Sequence, residues 1–488
     1  MKKPNILFIM NDQHRFDRLG CMSDPLIKTP HVDRIAREGV TFTNAYCPSP
    51  VCGPARGAIF SGMYPPACGV VNNWVPFRGD IVLLTERLQQ LGYRTAEVGK
   101  LHFVPHIKRF GFQFKRLHDA HYNVYANDAL YSDYVKYLQE TRYRDDPEEP
   151  IRRADEDEAC YWTGDEYRFI MGSNWLEEKY HYNTWTAEES IKYLQNYQGD
   201  EPFFLFVSFF GPHQPFEPPT PWNTLYDPED IELPPQFYAG MEDAPVFQAT
   251  KGASSREHKT KWNEATYKKI IAAYYGQITM IDHYIGRIFA QLEAMGLWDE
   301  TMIIFTADHG DHNGQYGLFY KGDMYDSCEK VPLIIKPAFA QQGGWQNSRV
   351  VNTIDLFGTI LEVAGDQNWA EEEAEKGRIE ARSLAPLLHK GAEVAWENHT
   401  FAIIGGNPES NLTMLRQDHL KLIRLAREDG EALYELYDMR DPVYEVRNVY
   451  EDPTYAAQRE ELKEKLDRWW ARQKALYPQR VKSYVKER

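Results

Sequence analysis

The 488-residue chain has no apolar run that approaches the roughly 20 residues of a membrane-spanning helix. Its opening stretch, 5–10, turns polar at Asn11 with no small-residue cleavage site, too short for an export signal. No membrane partner is expected, and the default location is the cytoplasm. Cysteine is scarce: Cys21, Cys47, Cys52, Cys68, Cys160 and Cys328 show no repeating spacing and no Cys-x-x-Cys pair. A disulfide framework is therefore not expected, and a cysteine that matters would matter through its chemistry. Positive charge is in deficit, with 55 Lys+Arg against 72 Asp+Glu and a net charge of −17. That excludes nucleic acid as a partner, because tracking a phosphate backbone needs a basic surface. An anionic ligand would have to be caught by a local positive site working against the overall field. Internal repeats and low-complexity tracts are also missing.

What is present is an α/β rhythm from residue 1 to about 365. Stretches 5–10, 94–98, 203–209, 302–306 and 331–336 are short and apolar, as buried strands of a mostly parallel sheet should be. Helices are expected from Thr29-Pro30 to Gly39, over 85–91, from Asn263 to about Met295, and over 353–364. Two segments break the rhythm, about 119–183 and the proline-dense 212–245, and long insertions of this kind usually serve as functional loops. After a polar linker near 366–383, strands at 400–404, 412–416, 420–425 and 433–438 and a helix near 455–476 suggest a smaller α+β unit. The expected organisation is a large α/β domain over 1–375 and a C-terminal α+β domain over 384–488.

In open α/β sheets ligands bind at the carboxyl ends of strands. Four polar clusters sit there: Asn11-Asp12-Gln13, Gly99-Lys100-Leu101-His102, Gly211-Pro212-His213 and Asp308-His309-Gly310-Asp311. Carboxylates and an imidazole converging on one edge are ligands suited to a divalent cation. A fifth cluster is Cys52-Gly53-Pro54-Ala55-Arg56, whose proline fits the first turn of a helix. The start of a helix favours an anion, and Arg56 lies one turn on. Cys52 is thus either a reactive thiol or a small buried hydrophobe.

Cys52-Gly-Pro-Ala-Arg56 followed by Ser61-Gly62 resembles the Cys-x-Pro-x-Arg signature of the type I sulfatases, members of the alkaline phosphatase superfamily. The run from Gly92 to Lys100-Leu101-His102 resembles their second signature. The Thr29-Pro30-His31-Val32-Asp33 helix and Glu435-Leu436-Tyr437-Asp438 are also similar to the family. The resemblance implies an alkaline phosphatase-like fold: a large mixed, mostly parallel sheet sandwiched by helices. It implies that Cys52 is converted to formylglycine by a maturation enzyme and that its hydrate attacks sulfur. One hydroxyl displaces the alcohol; loss of the proton from the other then expels sulfate as the aldehyde re-forms. Asp12, Gln13, Asp308 and His309, with modified Cys52, would hold one divalent cation, calcium by family habit, with manganese or magnesium left open. Arg56, Lys100, His102, His213 and Lys321 would surround the sulfate, with His213 the better choice to protonate the leaving oxygen.

Two departures narrow the branch. Asp12-Gln13 replaces the usual pair of acids, and Asp308-His309 replaces the usual Asp-Asn. Both are similar to choline sulfatases and phosphonate monoester hydrolases, and Asn73 falls where that branch can place a substrate contact. Lys100 and His102 are the sulfatase choice, so sulfate ester hydrolysis is the expectation, with phosphonate or phosphodiester hydrolysis as the rival. A further rival is an unmodified protein that only binds anions, which the complete set of site residues opposes. The acidic surface favours a small sulfate ester or sulfated saccharide fragment over a highly sulfated polymer. Trp74, Tyr122, Trp162 and Trp175 are candidate stacking residues for its leaving group. Nothing in the sequence fixes a homo-oligomer.

Overall fold

The computed structural model describes residues 2–22, 24–119, 132–142, 144, 171, 176–250, 262–339, 342–370, 378–391 and 393–477. Strand β1 (Asn5–Asp12) is buried along its whole length, as its unbroken apolar run requires. It lies inside an eight-stranded sheet of order β4-β3-β5-β1-β6-β7-β2-β8. The other strands are β2 (Val40–Tyr46), β3 (Arg94–Gly99), β4 (Phe114–Leu117), β5 (Phe203–Pro212), β6 (Thr301–Ala307), β7 (Leu333–Lys336) and β8 (Trp345–Asn352). Only β7 runs against its neighbours, β6 and β2; the remaining pairs are parallel. The mixed, mostly parallel sheet is the one expected.

Alternation along β1 sends its side chains to two cores. Ile6, Phe8 and Met10 meet Ile59 and Phe60 of helix α2 (Cys52–Ser61) on one face. Leu7 and Ile9 share the other with Val32 and Ile35 of helix α1 (Pro30–Glu38) and with Met280, Ile281, Ile285 and Ile288 of the helix Glu264–Ala294.

One buried acid lies beneath α1. Asp282 accepts the backbone N–H groups of His31 (3.2 Å) and Val32 (2.8 Å). Burial pushes its carboxyl from 3.8 up to about 7. The folded state therefore holds this proton more tightly than the unfolded chain, so the contribution to stability is full below 3.8 and is lost as pH rises toward 7. Asp282→Asn removes that dependence. Denaturant unfolding at pH 5 and 8 should show the variant gaining about 2 kcal/mol on the wild type between the two; an equal difference at both pH values would mean that the carboxyl is ionised throughout.

The C-terminal strands β9 (His399–Asn407), β10 (Ser410–Gln417), β11 (Leu420–Ala426) and β12 (Ala432–Asp438) form an antiparallel sheet in the order β12-β11-β10-β9. One face carries Phe401, Leu415, Leu422 and Leu436 against Leu462, Leu466 and Trp469 of the helix Ala456–Leu476. The other carries Ala402, Met414, Ile423 and Tyr437 against Tyr46, Tyr316, Leu318, Met324 and Tyr325. Buried Lys421 reinforces the contact, with Nζ at 2.9 Å from Asp326 Oδ1 and 2.6 Å from Glu445 Oε1. The loop after β6 is thus held between the two sheets.

Three strands escape the sequence pattern. β4 is short and carries Lys115 and Arg116, β8 is polar over Gln346–Arg349 at the sheet edge, and β2 is interrupted by Thr43 and Asn44. Helices Asp133–Glu140 and Tyr182–Gln195 likewise arise in and beyond the segment read as irregular. Part of the proline-dense segment is core, with Phe216, Tyr226, Ile231 and Phe237 packed on Tyr267, Ile270 and Tyr274, while Gln214 at its start reaches Gln13. Tyr122, Trp162 and Trp175 lie outside the described residues. Among the described residues no helix is long and apolar enough to cross a membrane, and the five described cysteines are free.

Candidate active site

Register brings the polar clusters together. Met10 pairs with Ser208 and Asn11 with Ala307, so β1, β5 and β6 end level and deliver Asp12 and Asp308-His309 to one point. Gly99 also pairs with Ser208 and has φ +114; a Cβ there would collide with the Ser208 carbonyl oxygen. Glycine therefore lets β3 approach closely enough to place Lys100 beside them. Helix α2 begins at Cys52, only 2 % exposed, so its sulfur sits over the same edge.

The Cys52 sulfur lies 3.1 Å from His309 Nε2 and 3.7 Å from Asp12 Oδ1. Arg56 Nε donates to Asp308 Oδ2 (2.8 Å) and Nη2 to Asp12 Oδ2 (3.1 Å). Its Nη1 donates to Ser208 Oγ (2.8 Å) and to the Lys100 carbonyl (2.6 Å). Lys100 Nζ reaches Asp12 Oδ2 at 2.7 Å. Lys321 Nζ donates to Gln13 Oε1, while Gln13 Nε2 donates to Gln214 Oε1 (2.7 Å) and to Asp311. His102 is buried beside Cys52, and Asn73 Oδ1 accepts the Gly53 N–H at 2.9 Å.

The electrostatics follow from these contacts. Burial opposes ionisation of the Cys52 thiol, but Lys100, Lys321 and His309 outweigh it and hold its pKa well below the ordinary thiol value. Burial and Cys52 push Asp12 up, yet Lys100, His213 and Arg56 hold its carboxyl far below the usual carboxylate range. Burial and the charge of Asp12 raise Asp308. Burial, then Lys321, lower His213 to about 4. The site is a pocket of fixed positive charge in an acidic protein.

Ligand atoms of Asp12, Cys52, Asp308 and His309 all lie within 4.8 Å of one another. The donor set fits the divalent cation that the resemblance implies. Two buried carboxylates raise each other's cost until a cation separates their charge. His309 Nδ1 faces the Gly310 carbonyl at 2.9 Å, which assigns the proton to Nδ1 and leaves Nε2 as the ligand atom. His312, Asp323 and Cys328 form a second such group. There, however, both His312 nitrogens already have partners, Asp323 Oδ2 at 2.8 Å and Ser327 Oγ at 2.9 Å, and the pair reads as a clasp on the loop bearing Lys321.

The candidate catalytic, metal-binding and substrate-binding residues thus lie on or beside one centre, although the Gln13 amide is engaged by Lys321, Gln214 and Asp311. Sequence reasoning missed the supporting residues. Ser208 is a lone hydroxyl in an apolar strand; Asp119 accepts the N–H groups of Leu101 (2.7 Å) and His102 (2.8 Å) and orients that turn. Their only signal is polarity where the pattern calls for an apolar or solvent-facing residue.

A family model described as sulfatase matches residues 4–366, and one described as the C-terminal region of N-sulphoglucosamine sulphohydrolase matches 314–472. An arylsulfatase of Clostridium perfringens is 32% identical over 377 residues, covering 74% of this chain and 75% of its own. An N-acetylglucosamine-6-O-sulfatase of Bacteroides thetaiotaomicron is 24% identical over 527 residues, covering 96% and 86%. The crystal structure of the phosphonate monoester hydrolase of Agrobacterium radiobacter has the same fold, with a TM-score of 0.77 at 24% identity over 96% of both chains. On these grounds the chain belongs to the sulfatase family of ester-hydrolysing enzymes.

Proposed function

We propose that the enzyme hydrolyses small sulfate monoesters with a formylglycine hydrate derived from Cys52. The observation that carries this reading is Cys52 itself, at the start of α2, buried against His309 and Asp12 and held acidic by Lys100 and Lys321. One hydrate oxygen forms the bond to sulfur while the bond from sulfur to the ester oxygen breaks. The departing oxygen takes a proton, for which His213 is the assigned donor. The second hydrate hydroxyl then gives up its proton, the carbon–oxygen double bond re-forms, and inorganic sulfate leaves; water restores the hydrate.

Arg56 fixes Asp12 and Asp308 and supplies positive charge beneath the hydrate. Lys100, His102 and Lys321 offset the charge developing on the sulfuryl oxygens. Burial, and then Lys321, lower the pKa of His213, and an arriving anion offsets the part due to Lys321. Asp12, Asp308, His309 and the modified residue 52, with Gln13 beside them, would hold a divalent cation, with calcium the first choice. When bound, such a cation lowers the nucleophile's pKa and neutralises charge at sulfur. Asn73, whose side chain accepts the Gly53 N–H in the first turn of α2, is assigned to the substrate side. Similarity to an N-acetylglucosamine-6-O-sulfatase supports a sulfated saccharide fragment as the substrate class.

The test is mass spectrometry of the peptide spanning Cys52 after co-expression with a formylglycine-generating enzyme, alongside turnover of matched aryl sulfate and aryl phosphonate monoesters. Conversion of Cys52 and at least about tenfold higher kcat/KM on sulfate are expected. The Gln13 and Asp308-His309 pairs keep phosphorus as the competing reading, and a preference for the phosphonate would replace the present one. Unmodified cysteine with no esterase activity would end both.

A further inference from the structure

A surface tryptophan packs against His102 at the edge of the buried centre. Trp74 follows Asn73, whose side chain holds Gly53 next to Cys52. Its indole is 36% exposed, and its ring centroid lies 4.9 Å from that of His102 and 5.8 Å from that of His106. Both Trp74 (φ +64) and His102 (φ +61) occupy the left-handed region that bulky residues avoid. Asp119 holds the His102 turn: its Oδ1 accepts the His102 N–H, and its Oδ2 lies 3.2 Å from His106 Nδ1. Strain of this kind, retained at a site, marks a position set for a purpose other than packing.

We propose that Trp74 is the platform for the leaving group, and that it selects sulfate esters of ring alcohols, pyranose or aryl, over acyclic ones. This rests on the sulfatase reading above and deepens it. An indole face matches the C–H face of a sugar or the face of an aryl ring. It is poorly set for a quaternary ammonium, because among the described residues the groups packed against it are imidazoles rather than further aromatic faces or a free carboxylate. Asp119, the adjoining acid among the described residues, is committed to two backbone N–H groups and to His106. With sulfate held under His102, a ring on the ester oxygen meets Trp74, while a short chain does not fill the space.

The test compares wild type, Trp74→Ala and Trp74→Phe, all with Cys52 modified, on glucosamine 6-sulfate, 4-nitrophenyl sulfate and choline sulfate, with inhibition by inorganic sulfate measured in parallel. Trp74→Ala should raise KM about tenfold or more for both ring substrates and change choline sulfate and the sulfate inhibition constant less than twofold. Trp74→Phe should recover most of the loss. An effect on one ring substrate alone would assign the platform to that class, sugar or aryl. Equal losses on all substrates together with weaker sulfate inhibition would reduce Trp74 to a support for the Asn73 turn, and unchanged KM values would also overturn the proposal. 4-Nitrophenyl phenylphosphonate is included so that an enzyme preferring phosphorus, which would remove the parent reading, still reports on ring binding.

Discussion

Cys52→Ser is expected to yield one turnover and then stop. Serine fits the space at the start of α2, and its hydroxyl faces the same groups, Asp12 at 3.7 Å and His309 at 3.1 Å from the present sulfur. Lys100, Lys321 and Arg56 remain in place to receive the sulfuryl group, so attack on sulfur is still open. The resulting serine sulfate has no second hydroxyl on the same carbon, and nothing internal can expel the sulfate. Steady-state turnover should therefore fall by on the order of 10⁵-fold, the scale seen when a nucleophile is removed from a unit that acts as a whole. Rapid mixing with 4-nitrophenyl sulfate should release at most one equivalent of nitrophenol, and intact-protein mass spectrometry should find sulfate on the chain. Sustained turnover by an unmodified serine enzyme would show that the hydrate is not required.

The second large effect is expected at Arg56, and it combines catalysis with stability. The guanidinium is fully buried and its donors serve Asp308, Asp12, Ser208 and the Lys100 carbonyl in four directions. Arg56→Ala strands two carboxylates in the interior, and breaking a buried pair by removing one partner costs about 3–5 kcal/mol. Activity should fall at least about 10³-fold, because the group beneath the hydrate is lost. Arg56→Lys keeps the charge but cannot reproduce the fork, so it should regain part of the stability and little of the activity. Denaturant titrations with and without added calcium separate the causes. If the defect is carboxylate repulsion, calcium should stabilise the alanine variant more than the wild type. An alanine variant within about 1 kcal/mol of wild type would mean that Lys100 alone neutralises the pair.

The division between what was legible in the sequence and what was not has a physical basis. Strands β1, β5 and β6 are read correctly because burial on both faces demands an unbroken apolar run. β4 and β8 are the two edge strands, with polar outward residues, and backbone pairing rather than composition makes them strands. In the site, residues that carry chemistry follow strand ends or the helix start and can be read in order. Residues that orient them cannot. Ser208 serves Arg56 from 152 positions away, and Asp311 meets Gln13 across 298. No local pattern encodes such partnerships; only the register of β1 against its neighbours creates them. The proline-dense segment divides in the same way: its start carries Gln214 to the site, and its aromatic residues further on fill a core.

The burial of Cys52 bears on how the proposed modification can happen at all. The residue is only 2% exposed, and His309, which lies against it, is 257 residues further along the chain. Ribosomes add roughly 5–20 residues per second, so an interval of about 13–50 seconds separates the emergence of Cys52 from that of His309. During that interval the later strand β6 does not exist, and the thiol lies open on an unfinished sheet. Once the sheet closes, an oxidising enzyme meets a thiol walled in by neighbouring side chains. The yield of active protein is then set by a race between translation and oxidation, and slowing elongation after residue 52 raises the active fraction without altering a single contact in the finished fold.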